Sequence, residues 1–408
     1  MTIQEISGGV TAAKGFLAGA VHAGVKSSNK TKKDVAVVYS EAPAHVSGVF
    51  TQNKFAAAPV AWCRSIVANG KAQAVVVNSG NANACTGAEG AANAEKMASL
   101  AAQALQLATK DVLVASTGVI GQQLPMSVIQ AGIEGAAASL SKAGNDALAE
   151  AIMTTDTYPK TLAVQYPYQG KTITIGGVAK GSGMIHPNMA TMICLITTDC
   201  NVSCAALHKA VKSAADKGFN MVTVDQDTST NDTCIVLANG QAENPLVEVD
   251  GPGYAEFAAA LSHVCMALAK MMAHDGEGAT KLIEVKVAGA QTEQDARLAA
   301  KAVVSSNLVK AAFFGEDANW GRIICAVGNS GAALDTQKVD LWLKSAGGCE
   351  QMMAQGAALV FDESKAKEIL AEREIQVLIQ LNQGQGEAMA WGCDLSYDYV
   401  KINGDYRT

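Results

Sequence analysis

A polar, glycine-rich loop, Lys180-Gly-Ser-Gly-Met-Ile-His-Pro-Asn-Met-Ala190, runs directly into an apolar stretch headed by Thr191. A threonine at the head of a strand carries a weak nucleophile. If its hydroxyl attacks the carbonyl of Ala190, an ester forms, and hydrolysis of that ester cuts the chain. The small Ala190 side chain leaves the carbonyl approachable. Thr191 then begins a new chain with a free α-amine, whose unperturbed pKa of about 7.7–8.0 lies close to neutral pH. Such an amine serves as base for its own hydroxyl, so no histidine is required. The same spacing suits an ordinary loop and a buried strand, since strands favour β-branched residues. Spacing alone leaves both readings open.

Other constellations fail by single residues. Gly176 and Gly181 have the spacing of a phosphate loop, but Ser182 stands where lysine is required. Gly181 and Gly183 begin a dinucleotide fingerprint that His186 ends. Ser330 and Ser182 each lack one glycine of a nucleophile elbow, with Ala332 and Lys180 in the wrong places. The six histidines are scattered and no C-x-x-C occurs, so no metal site is expected.

Composition narrows the class. The 408 residues are 49% hydrophobic and 17% charged, which excludes a disordered chain and suggests two or three domains or one large α/β unit. A net charge of −7 offers no basic surplus to neutralise phosphates, so nucleic acid is not the expected partner. With 38 glycines and 5% aromatics, the core must pack backbones closely. The longest apolar helical run, Phe257–Ala269, falls short of the roughly 20 residues that span a bilayer. The N-terminal MTIQEISGGV carries no basic region of the kind that begins a secretory signal. The expectation is a cytoplasmic protein without a membrane partner, its ten cysteines reduced and mostly buried.

The elements that must position Thr191 are strands and helices in mixed order. Val35–Tyr39, Ala74–Val77 and Val112–Ala115 read as buried strands, and residues 282–287 and 375–381 alternate as strands do. Helical spacing covers roughly 91–107, 126–140, 145–153, 203–217, 254–272 and 294–304. Phe257, Leu261, Val264, Leu268 and Met271 share one face, and Asn145 reads as an N-cap. The order favours a layered α/β sandwich over a barrel or a doubly wound sheet. The Gly-rich stretch Gly176–Asn188 is the expected internal boundary.

Several segments together resemble the ornithine acetyltransferase family, the bifunctional arginine-biosynthesis proteins also called glutamate N-acetyltransferases. They are Gly9-Val-Thr-Ala-Ala-Lys-Gly-Phe16, Asn78-Ser-Gly-Asn-Ala-Asn-Ala-Cys-Thr-Gly87, Ser116-Thr-Gly-Val-Ile-Gly121, the segment Lys180–Thr191 and Asp398-Tyr-Val-Lys-Ile-Asn-Gly-Asp-Tyr-Arg-Thr408. The match runs along essentially the whole chain, and Lys180–Thr191 is its most specific part.

The resemblance implies an α+β double sandwich, similar to that of self-processing aminopeptidases with an N-terminal nucleophile. It also implies autoproteolysis between Ala190 and Thr191. The products are an α chain of residues 1–190 and a β chain of 191–408, assembled as two α plus two β chains. Thr191 becomes the acetyl acceptor. Thr117 and Gly118 match the family's oxyanion-hole pair, although Ser116–Gly118 alone reads as an ordinary turn. Thr154, Lys180, Glu277, Asn403 and Thr408 match substrate-contacting positions. Lys180 offers a point charge to an anion. Glu277, between Gly276 and Gly278, suits an ammonium group, with glycines that let backbone approach the ligand. Asn403 and Thr408 add amide, hydroxyl and carboxylate groups from a tail that is frayed by default. Gly404 stands where it loosens that tail. Asp225-Gln-Asp227-Thr-Ser-Thr230 and Asn319-Trp-Gly-Arg322 are family landmarks to which only structural roles are given.

The implied reaction moves an acetyl group from N2-acetyl-L-ornithine to L-glutamate by a ping-pong route through acetyl-Thr191. No cofactor or metal is implied, and acetyl-CoA is a second donor that the resemblance allows. One rival is a self-processing amidase or aminopeptidase with water as acceptor. The other is an uncleaved amino-acid-binding protein.

Overall fold

The computed structural model describes residues 2–186 and 192–405, so Ala190, Thr191 and Thr408 lie outside the described residues. Two compact units divide the chain. The first holds Met1–Gly181, Pro187–Asn220 and Asp227–Leu268, and the second Ser182–His186, Met221–Gln226 and Ala269–Thr408.

The first unit begins with β1 (Gln4–Ile6), β2 (Phe16–Val21), β3 (Val35–Phe50), α1 (Ala58–Ala68), β4 (Lys71–Asn81), α2 (Gly87–Leu105) and β5 (Val112–Val119). It continues with α3 (Met126–Ala138), α4 (Asn145–Ile152), β6 (Lys160–Tyr168), β7 (Lys171–Lys180), β8 (Ile193–Thr198) and α5 (Cys204–Lys217). After β9 (Val222–Thr223), which belongs to the second unit, come β10 (Thr233–Ala238) and α6 (Tyr254–His274), whose residues to Leu268 lie in the first.

Among the described residues the strands of this unit form one nine-stranded sheet in the order β1-β6-β7-β8-β10-β3-β4-β5, with β2 on β3. Alternation on its strands feeds two cores. Ala36, Val38, Val75, Val77 and Leu113 enter one cluster with Ile193, Leu195 and Ile235, closed by Ile66 of α1 and Leu148 of α4. Val35, Val37, Val76 and Val114 enter the other, against Met97 of α2 and Ile129 of α3. Both faces of β3, β4 and β5 are therefore buried. That is why the sequence reads as continuous apolar runs rather than alternation. The result is a layered α/β fold rich in small side chains.

The expected boundary stretch Gly176–Asn188 begins inside β7, which runs to Lys180 and pairs with both β6 and β8. Its Gly176 serves close packing, since a Cβ there would collide with the Gly9 carbonyl oxygen. The first change of unit, between Gly181 and Ser182, does fall inside that stretch. Asn145 is not the N-cap of α4. Gly144 is, and Asn145 Oδ1 instead accepts the Val10 N–H at 3.0 Å. Finally, α6 with 21 residues is long and apolar enough to cross a bilayer by length and composition alone. Phe257, Leu261, Val264 and Leu268 are nevertheless fully buried in protein, as in a core helix, while Met271 is half-buried and Met272 replaces it.

The second unit adds β11 (Leu282–Ala290), α7 (Glu293–Ser305), α8 (Asn307–Phe314), α9 (Trp320–Gly328), β12 (Asp340–Ser345) and β13 (Gly348–Ala354). It ends with β14 (Ala357–Ala358), α10 (Glu363–Ala371), β15 (Glu374–Gln380), β16 (Gly386–Cys393) and α11 (Tyr397–Gly404). Its sheet has the order β14-β13-β12-β15-β11-β16-β9 among the described residues. The alternation read in the sequence sets its register, with Ile283, Val285 and Val287 beside Ile375, Val377 and Ile379. The ten cysteines are unpaired and six of them are buried.

Candidate functional site

The segments on either side of residues 187–191 return to one sheet. Lys180, the last residue of β7, faces Ile193, the first of β8, and β8 lies parallel to β10. Just before β8, the Met192 N–H donates to Asp232 Oδ1 at 3.0 Å, and the Met192 carbonyl accepts from the Thr233 N–H at 2.9 Å. Asp232 is buried. The residue that follows Thr191 is thus fixed through both backbone groups.

Asn231, the neighbour of Asp232, reaches the other way. Its Nδ2 donates to the Ser116 carbonyl at 2.8 Å and to the Ala82 carbonyl at 2.6 Å. Ser116 Oγ donates to Asn78 Oδ1 at 2.6 Å, joining β5 to β4. Residues 116–119 continue the strand rather than turning away, which corrects the turn reading of Ser116–Gly118. Thr117 and Gly118 are half-buried there, beside Ser79 and Gly80. Gly118 has φ +133° in the region that favours glycine. A Cβ on it would collide with the Gly80 carbonyl carbon and lie 2.5 Å from Asn81 N.

From β4 the contacts pass to Lys180. Ser79 Oγ donates to the Ala151 carbonyl at 2.6 Å, just before the segment Thr154–Lys160. Lys180 Nζ donates to Thr154 Oγ1 at 2.6 Å and lies 3.7 Å from Asp156 Oδ2. Asp156 accepts further bonds from Lys160 Nζ at 2.8 Å, Gly181 N at 2.6 Å and Thr154 N at 3.0 Å. Burial pushes the Asp156 carboxyl up, but the Lys180 and Lys160 ammonium groups outweigh it and hold the carboxyl well below the usual range. Lys32 approaches the same cluster, its Nζ donating to the Met153 carbonyl at 3.0 Å. Residues 116–118, 79–80, 151–156, 180 and 192, with 231 and 232, therefore form one closed circuit of contacts in the first unit.

Of the expected site residues, Thr117, Gly118, Thr154 and Lys180 belong to this circuit. Glu277 and Asn403 meet in the second unit, where Asn403 Nδ2 donates to Glu277 Oε2 at 2.8 Å. The tail is not frayed up to that point. α11 includes Gly404, and Ser396 Oγ caps the helix at Tyr399 N and donates to the Gly278 carbonyl at 2.6 Å. The glycines beside Glu277 admit the protein's own chain. A Cβ on Gly278 would lie 2.6 Å from Tyr399 N, and one on Gly276 would lie 2.6 Å from Cys393 Sγ. Gly183 does the same for the Glu277 carboxylate, which a Cβ there would overlap.

No sequence motif singles out Asp156, Lys160, Asn231 or Asp232 as site residues. The landmark Asp225, expected to have only a structural role, does order a loop. Its carboxylate accepts the Met184 and Ile185 N–H groups at 2.6 and 2.8 Å. Nearby, His186 Nδ1 donates to Thr223 Oγ1 at 3.0 Å, because the Thr223 hydroxyl is already donated to the Ile185 carbonyl. Burial, and then the charge of Lys301, lower the His186 pKa to about 4. The imidazole is therefore neutral near pH 7.

A surface cleft of about 510 Å³ in the second unit is lined by Lys270, Glu284, Lys344, Arg373 and Glu374, and by none of the expected site residues. Among the described residues no group of three histidines, cysteines or carboxylates is placed to hold a metal ion.

A model described as the ArgJ family matches residues 17–408. The chain is 55% identical over 406 residues to the arginine biosynthesis bifunctional protein ArgJ of Caldanaerobacter subterraneus subsp. tengcongensis, covering 100% of both chains. The protein of that name from Symbiobacterium thermophilum gives the same identity and coverage. Among solved structures, the arginine biosynthesis bifunctional protein argJ from Bacillus halodurans is 44% identical over 52% of this chain and 97% of its own, with a TM-score of 0.49. Ornithine acetyltransferase complexed with ornithine, from Mycobacterium tuberculosis, is 40% identical over 46% of this chain and 98% of its own, with a TM-score of 0.43.

Proposed function

The chain belongs to the ArgJ family, and from that premise we propose that it is a glutamate N-acetyltransferase that moves the acetyl group of N2-acetyl-L-ornithine to L-glutamate. The observation that carries the reading is the circuit linking Thr117 and Gly118, Lys180 and Met192. It supports placing a nucleophile at residue 191 beside strand-end N–H donors and a lysine.

In the proposed reaction the chain first cleaves itself between Ala190 and Thr191. The Thr191 amine then takes the proton of its own hydroxyl as the oxygen attacks the acetyl carbonyl. The oxyanion is stabilised at Thr117 and Gly118, the kind of donor whose loss costs about 10²–10³ in rate. The amide bond breaks, and ornithine leaves with the proton. The glutamate amine attacks acetyl-Thr191, the ester breaks, and the hydroxyl regains its proton. One amide is lost and one is made, so no cofactor or metal is called for. Lys180 is assigned to a carboxylate of the substrate, and Glu277 with Asn403 to the ornithine ammonium. Thr154 orients Lys180, and Thr408 remains the family's assignment. The assembly of two α and two β chains and the use of acetyl-CoA as a second donor belong to the same proposal.

The test is incubation of acetylornithine with and without glutamate. Acetylglutamate formed only with glutamate supports transfer. Acetate released in both cases makes the protein a hydrolase.

A further inference from the structure

Lys180 is an unusual cation for a protein interior. Its side chain is 5% exposed, yet it donates one short hydrogen bond, to Thr154 Oγ1, and Asp156 Oδ2 stands 3.7 Å away, too far for a second. An ammonium has three donors. The Asp156 carboxylate is engaged elsewhere. Lys160 Nζ lies 2.8 Å from its Oδ1, and the side chains of that pair are both fully buried. Gly181 N and Thr154 N complete its bonds. The buried carboxylate is thus matched by a lysine that does not face solvent, and a second lysine stands at the edge of the pair.

We propose that Lys160 is the fixed counter-ion of Asp156, and that this pairing leaves the Lys180 charge available to an anionic group of the substrate. Asp156 is then a positioning residue. It anchors the backbone at both ends of that hydrogen bond, at the N–H of Thr154 and at the N–H of Gly181 next to Lys180, without neutralising the lysine. Lys160 sets the charge. With Lys160 present the trio Lys160, Asp156 and Lys180 carries one net positive charge. Without it, Asp156 and Lys180 cancel, and Lys180 is drawn onto the carboxylate. This rests on the acyl-transfer reading for its substrate, a carboxylate-bearing amino acid, but the charge balance itself is a property of the described residues.

The test compares wild type, Lys160→Met and the double variant Asp156→Asn with Lys160→Met. Transfer kinetics, calorimetric glutamate affinity and intact mass are measured on each. Lys160→Met is expected to raise the KM and Kd for glutamate about tenfold or more, with kcat within about threefold and chain cleavage retained. The double variant removes both charges of a buried pair, which folds tolerate far better than removal of one. It is expected to return KM and Kd to within about threefold of wild type, a coupling that only charge balance produces. A double variant no better than the single one in affinity overturns the proposal. Should Lys160→Met fail to fold, the double variant decides alone. Affinity near wild type supports the proposal, and a loss of about tenfold or more contradicts it. Absence of acetyl transfer by wild-type protein counts against the acyl-transfer reading, while the calorimetric series still decides the role of Lys160.

Discussion

The Asn231 side chain donates to the Ser116 carbonyl at 2.8 Å, tying the end of β5 to the residue that precedes Asp232. Since Asp232 holds the Met192 N–H, two consecutive residues connect the strand of Thr117 and Gly118 with the chain that follows Thr191. Neither contact involves a group that reacts.

Asn231→Ala therefore separates positioning from chemistry. It leaves the Ser116 and Ala82 carbonyls without this donor, at about 1–3 kcal/mol for each buried group left unsatisfied. The expected outcome is a fall in kcat of about tenfold or more with KM little changed, since the reacting groups stay while their spacing loosens. Steady-state kinetics alongside thermal melting reads both effects. A kcat equal to wild type would remove Asn231 from the account.

Gly118→Ala introduces a Cβ where the Gly80 carbonyl carbon already stands, on a backbone at φ +133°. Either β5 or β4 must move. A displaced N–H donor is expected to slow transfer by about 10²-fold, and chain cleavage should slow with it if the same oxyanion site serves both. Thr117→Val keeps the backbone and should retain most of the activity. Rates of both steps in the two variants provide the check.

Thr154→Val keeps the shape of the side chain and removes the hydroxyl 2.6 Å from Lys180 Nζ. A hydrogen bond to a charged group is worth about 1.5–3 kcal/mol, so the KM for glutamate should rise about tenfold while Thr154→Ser stays near wild type. Equal KM values for the two variants would mean that the hydroxyl does not position Lys180.

His186 gives the pH dependence a sign. Its folded pKa, about 4, lies below the ordinary imidazole value of 6.5 because burial and the nearby Lys301 disfavour the imidazolium. The unfolded chain therefore binds the proton first. The stability that the neutral imidazole contributes is complete above about pH 6.5 and is lost as pH falls toward 4. Melting temperature measured across that window should decline, and His186→Gln should flatten the slope. A wild-type slope of opposite sign would contradict the buried neutral imidazole.

The strands legible in the sequence were those whose period or apolar run had one cause. Ile283, Val285 and Val287 alternate because one face of β11 is more buried, and Val35–Val38 form a run because both faces are. β7 stayed hidden because Gly176 and Gly177 look like loop residues, although Gly176 is there to admit the Gly9 backbone. In the site, Lys180 and Thr154 carried a family resemblance, but Asp156 did not stand out. Its partner Lys160 lies four residues on in a segment that is not a helix, and Lys180 arrives only through the pairing of β6 with β7. Asn231 and Asp232 owe their roles to the irregular segment just before β10, and nothing in their spacing points to Ser116 or Met192.

The central claim is that Thr191 becomes a chain terminus and carries the acetyl group. Intact-mass measurement of purified protein after incubation with N2-acetylornithine tests it most directly. The account predicts two chains, residues 1–190 and 191–408, the second heavier by one acetyl group, and a single unmodified chain for Thr191→Ala. A wild-type protein that remains one unacetylated chain of 408 residues would contradict it.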